Sequence, residues 1–116
     1  MATKSGNDAL IRLTRWRGGQ HPTFSLIARQ MRKEGLRPYM WVNTPNHRYA
    51  VRSHGYEKVL YVIEGTLELS FPDENQRVVL RAGDRIDIPA GVRHGTTVGN
   101  GGAKCVEAAK AESRRR

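Results

Sequence analysis

The sequence predicts an all-β sandwich or barrel, preceded by a basic extension that holds one short helix. Three observations predict it. From Tyr39 onward the apolar residues come in short runs of strand length, separated at regular intervals by Gly, Pro, Asn and Asp. No helix-length pattern separates those runs, which argues against a parallel α/β sheet. Upstream, Phe24, Ile27, Ala28 and Met31 fall at i, i+3, i+4 and i+7, the spacing of one apolar helix face.

Residues 2–8 are small and polar and read as loose chain. Residues 10–16 (LIRLTRW) suit either a short strand or a helical turn. Gly18, Gly19 and Pro22 then break the chain. The helix is expected over 23–34, capped by Thr23 and ended by Gly35. Strands are expected near 39–43, 48–54, 57–64, 66–71, 77–80, 85–88, 94–98 and 104–108. Their punctuation is Thr44-Pro45-Asn46, Gly65, Pro72 to Asn75, Ala82-Gly83-Asp84, Pro89-Ala90-Gly91 and Gly99 to Gly102. Trp16 and Trp41 read as packing anchors, and Tyr39 and Tyr61 as core residues that could also line a pocket. The chain thus divides into a basic N-terminal extension (1–37), a β-domain (38–109) and a basic C-terminal tail (110–116).

The chain has 116 residues, which suits one domain with one modest core. The longest apolar run, Val59 to Ile63, cannot span a bilayer. The first twenty residues carry charges and no apolar block, unlike a secretory signal. Cys105 is the only cysteine, so no intramolecular disulfide forms, and a cytoplasmic location is expected. It sits in a strand run with no His beside it and reads as structural. The formal charge of +9 lies in the flanks. Residues 1–37 hold eight basic and two acidic residues, residues 38–103 seven of each, and residues 104–116 five basic and two acidic. The flanks read as a solvated basic surface. No aromatic-and-basic repeat, zinc-finger spacing or phosphate loop points to nucleic acid.

Two blocks carry a resemblance. In GDRIDIPAGVRH, Gly83, Pro89, Gly91 and His94 stand in the register of the second motif of the cupin superfamily. The closing Asn position of that motif is Val98 here. In RSHGYEKVLYVIEG, Gly65 and the strand before it resemble the end of the first motif. Counting back from Gly65 puts Lys58 at that motif's Glu position, His54 at its second His and Arg52 at its first. The resemblance covers roughly residues 38–108. It implies a double-stranded β-helix, or jelly-roll barrel, with Arg52, His54, Lys58 and His94 converging in its mouth. It also implies a homodimer, with residues 1–37 packing across or covering a sheet edge.

The resemblance implies a metal centre of three His and one carboxylate, or a facial triad with open positions for substrate. Here one imidazole is replaced by Arg52 and the carboxylate by Lys58. Two unit charges about 4 Å apart repel by roughly 4 kcal/mol at an effective dielectric near 20. A tight metal site of the usual kind is therefore not expected. The same groups suit an anion: Arg52 as a bidentate clamp and Lys58 as a point charge, with Tyr61 among the wall residues. The expected function is binding of a small anionic ligand. The alternative is a metal-dependent isomerase, dioxygenase or lyase. It would use His54, His94 and a Glu57 turned inward by a one-residue bulge, with His21 or His47 completing the set and zinc, iron, manganese or nickel as the ion. A third reading is a regulatory or interaction module. Fold alone does not choose between enzyme and binder.

Overall fold

A computed structural model describes residues 2–4 and 10–110. The C-terminal tail expected over 110–116 therefore lies, past Lys110, outside the described residues. Of the stretch 2–8 expected to be loose, Ala2–Lys4 instead pair as a strand with Leu10–Thr14, and residues 5–8 lie outside the described residues. The elements are β1 (Ala2–Lys4), β2 (Leu10–Thr14), α1 (Phe24–Lys33), β3 (Tyr39–Asn43), β4 (Arg48–Arg52), β5 (Glu57–Phe71), a 3-10 turn (Pro72–Glu74), β6 (Gln76–Leu80), β7 (Arg85–Ile88) and β8 (His94–Lys110). The ambiguous stretch 10–16 is a strand over 10–14. Among the described residues no helix is long and apolar enough to cross a membrane.

The strands form one antiparallel sheet in the order β1-β2-β7-β5-β8-β3, with β6 added to β5 and β4 added to β8. This corrects the expectation of a closed jelly-roll barrel. The path ends at β1 on one side and β3 on the other, and among the described residues no ladder joins the two ends. The fold is mostly β with one helix, and its sheet is open. Alternation of apolar residues tells which face of a strand is buried. It says nothing about whether the two outermost edges meet.

Two long strands organise the sheet. β5 and β8 pair along most of their length, from Glu57↔Lys110 to Ser70↔Gly95. The sequence places a break in each, at Gly65 and at Gly99 to Gly102. The chain instead runs through both as bulges, between Val62 and Glu64 and between Gly65 and Leu67. Gly65 has φ 79°, and a Cβ there would stand 2.0 Å from the Gly102 carbonyl oxygen. Only glycine allows that approach. The bulges also switch which parity faces inward. Leu60 and Val62 point to the same core as Leu67, Leu69 and Phe71. One ribbon therefore lines a single core from both of its halves.

The other face of the ribbon carries a second cluster. Val59, Tyr61, Ile63, Val106 and Ala108 pack against Ile27, Met31 and Leu36 of the extension. Thr23 caps α1 by accepting from the Leu26 N–H at 3.2 Å, and Ile27, Ala28 and Met31 are its buried residues. The extension thus lies on its own chain: α1 over the outer face, β2 along the edge of β7.

Candidate functional site

Strand parity puts Lys58, Leu60 and Val62 on the inner face of β5, and Cys105 and Glu107 on the inner face of β8. Leu60, Val62 and Cys105 enter the core. Lys58 and Glu107, further from the core, face a cavity of about 300 Å³. The cavity's other side comes from β4 and the chain after it. Arg52 pairs in register with His94 of β8, so the two side chains lie side by side. The His54 carbonyl accepts from the Gly91 N–H at 2.8 Å, which ties the loop after β4 to the turn before β8. That turn closes with Val92 N–H donating to the Pro89 carbonyl, and Gly91 takes φ 84° at its third position, where a positive φ is required.

These contacts bring together four residues that the sequence singled out: Arg52, His54, Lys58 and His94 all line the cavity. The two imidazoles are neighbours, with ring centroids 5.4 Å apart. His94 is buried and bonds the Val92 carbonyl through Nδ1 at 3.0 Å. A carbonyl only accepts, so Nδ1 carries the proton and Nε2 of the neutral ring is an acceptor. Burial, then the charges of Lys58, His54 and Arg52, take the His94 pKa down to about 4 against the pull of the Val92 bond. The pKa of His54 is also lowered, first by burial and then by Lys58. Both rings are thus neutral at physiological pH.

Tyr61 and Glu57 are placed elsewhere. They are odd-numbered positions in a stretch where the even ones face inward. The register from Lys58↔Ile88 to Tyr61↔Arg85 is unbroken, and so is that from Glu57↔Lys110 to Val62↔Cys105. There is no bulge to turn Glu57 inward, and both residues line a groove on the outer side with Arg85 and Lys110. His21 and His47 do not line the cavity; the His47 ring packs on Tyr49 at 4.5 Å.

Sequence reasoning missed Glu107. It is 7% exposed, with Oε1 3.5 Å from Lys58 Nζ and Oε2 accepting from the Tyr39 hydroxyl at 3.0 Å. Its signal was present: Cys105 and Glu107 alternate with Val106 and Ala108, so the glutamate shares the inner face with a core residue. Of the aromatic wall, the sequence points to Tyr39 but not to Trp41, Tyr49 and Tyr56. Tyr39, Trp41, Tyr49 and Tyr56 line the cavity. Tyr39, read as core, is 53% exposed, and its pKa is pushed up to about 12 by burial and by Glu107. Tyr56 stacks on His54 at 4.9 Å and 22°. Trp41 meets Tyr49 edge-on at 6.1 Å. The thiol of Cys105 is buried, and burial, with Glu107, pushes its pKa up to about 12, which keeps it protonated.

The donor set does not suit a divalent ion. Two imidazoles converge, but Lys58 and Arg52 bring positive charge beside them, and the Glu107 carboxylate is already held by Lys58 and Tyr39. Among the described residues no group of three or more His, Cys, Asp and Glu side chains is arranged to hold a metal. The set His54, His94 and Glu57 is not assembled, because Glu57 faces away.

An antiparallel β-fold with a polar cleft on the inner face of its two long strands and a Gly–Pro–Gly–His turn defines a small cupin-like protein. The profile of the Cupin domain family (Cupin_2) matches residues 40–107, and the chain belongs to that family. No curated protein matches it. Among solved structures, it is similar to a cupin-2 domain protein from Shewanella frigidimarina, at 26% identity and TM-score 0.54, over 68% of this chain and 71% of that one. It is similar to the polyketide cyclase RemF from Streptomyces resistomycificus, at 28% identity and TM-score 0.59, over 66% and 55% of the two chains. It also shares the fold of a cupin superfamily protein from Desulfitobacterium hafniense, at 11% identity and TM-score 0.58, over 88% and 78%.

Proposed function

We propose that the cavity between β4, β5 and β8 binds a small anionic ligand. One observation carries this reading: Arg52 lines the cavity and makes no ion pair among the described residues. A guanidinium presents a planar fork that matches a carboxylate or phosphate. The neighbouring imidazoles are neutral and add no competing charge. His94 Nε2 offers an acceptor for a hydroxyl or N–H of the ligand. General family membership is compatible with small-molecule binding, and the charge of this particular cavity sets its sign.

The test is a thermal-shift screen of small acids against the full chain, with Arg52→Ala as the control. Acids are expected to raise the melting temperature of the native protein and not that of the variant. An acid series that leaves the native protein unmoved, or that moves both proteins equally, would contradict the reading.

A further inference from the structure

Resting on that reading, we infer that the ligand is a flat aromatic monocarboxylate. Two independent features of the cavity point there. The first is its wall. The chain has eight aromatic residues, two Phe, two Trp and four Tyr, and Tyr39, Trp41, Tyr49 and Tyr56 lie in this one cleft. Aromatic faces in a concave site are poorly hydrated, and their quadrupoles favour stacked or edge-on partners. The cavity wall includes one stacked pair, His54–Tyr56, and one edge-on pair, Trp41–Tyr49. A volume of about 300 Å³ lies at the small end of ligand pockets. It suits one ring or a fused pair, not a long chain.

The second feature is the charge count. Arg52 and Lys58 are cationic, Glu107 is anionic, and the imidazoles are neutral. The cavity is therefore one positive charge in excess. Glu107 sits 3.5 Å from the one cation and leaves Arg52 as the free one. A single carboxylate neutralises that excess. A second negative charge on the ligand would approach Glu107 without a counter-charge, and like charges in a partly desolvated cleft repel. The cavity thus selects against phosphate and against dicarboxylates, and the aromatic wall selects against aliphatic acids.

The experiment is isothermal titration of the full chain with five probes: benzoate, cyclohexanecarboxylate, benzamide, phthalate and inorganic phosphate. Benzoate is expected to bind about tenfold more tightly than cyclohexanecarboxylate, the gain of ring stacking. It is expected to bind at least about tenfold more tightly than benzamide, which lacks the charge for Arg52. Phthalate and phosphate are expected to bind more weakly than benzoate. Tyr56→Leu, checked for folding by circular dichroism, is expected to narrow the gap between benzoate and cyclohexanecarboxylate while keeping the preference over benzamide. Equal binding of benzoate, cyclohexanecarboxylate and phosphate, lost in Arg52→Ala, would overturn the aromatic monocarboxylate and leave the anion reading standing. Benzamide binding as well as benzoate would overturn both, as would no heat from any probe at millimolar concentration.

Discussion

The two faces of the β5–β8 ribbon each carry a cluster of charged and phenolic groups, and the clusters are built differently. On the outer face Arg85 donates to both Glu34 oxygens at 2.8 and 2.9 Å, to both Asp87 oxygens at 2.8 and 2.9 Å, and to the Tyr61 hydroxyl at 3.0 Å. Burial works to lower the Arg85 pKa, but the two carboxylates outweigh it and raise it. Arg85, Glu34, Asp87 and Tyr61 thus each have a short, directed partner, and the cluster of four fastens α1 to the sheet. On the inner face the one ion pair among the described residues, Lys58–Glu107, is long at 3.5 Å. Arg52 has no carboxylate among the described residues, and open space lies between the groups. A saturated cluster is structural, because it has nothing left to offer a ligand. An unsaturated one beside a cavity retains its binding capacity.

The largest contrast is expected from Arg85→Ala. Removing it leaves two partly buried carboxylates without their counter-charge, which costs about 3 to 5 kcal/mol. Urea unfolding should show that loss, while ligand affinity of the folded protein stays within about twofold, since no cavity group is touched. A small loss would mean that the outer cluster is not the fastener.

Next in size is a pH effect on the inner face. The His94 pKa is about 4 in the folded chain against an ordinary value of 6.5. Between these values the unfolded chain binds the proton and the folded chain does not, so stability rises with pH across that window. The contribution is complete above pH 6.5 and is lost as pH falls toward 4. Its size is about 3 kcal/mol. Unfolding curves from pH 4 to 7 should show the slope, and His94→Gln should flatten it. An unchanged slope in that variant would assign the effect to other groups.

Arg52→Ala should act on the ligand alone. A lost charged hydrogen bond is worth about 1.5 to 3 kcal/mol, or roughly ten- to a hundredfold in affinity. Stability should change by less than about 0.5 kcal/mol, as for an exposed side chain without partners. The smallest effect is expected from Glu107→Gln. Breaking the long pair with Lys58 should cost about 1 kcal/mol of stability. It should also raise the affinity of phthalate and phosphate relative to benzoate, by adding a unit of positive charge to the cavity. If relative affinities stay fixed, Glu107 does not set the charge of the site.

Much of this contrast was legible in the sequence. The Gly83–Pro89–Gly91–His94 spacing located the turn that presents His94, and Arg52 and His54 were placed beside it. The helix face Phe24 to Met31 and the Thr23 cap were readable because both are local patterns. Three features were not. The continuity of β5 and β8 was hidden because a bulge and a turn share the same local signature, a glycine with a positive φ; the partner strand decides between them. The open sheet was hidden because closure depends on two edges far apart in the chain. Tyr61 and Glu57 fall on the outer face by a parity rule that was available, and Glu107 falls on the inner face by the same rule.

The measurement that tests the central claim most directly is the metal content of tag-free protein by elemental mass spectrometry, before and after dialysis against zinc, iron, manganese and nickel. The charge of the inner cluster predicts far less than one equivalent of any of them. Near-stoichiometric metal that survives dialysis into metal-free buffer would contradict it, because His54 and His94 would then be ligands beside Lys58 and Arg52.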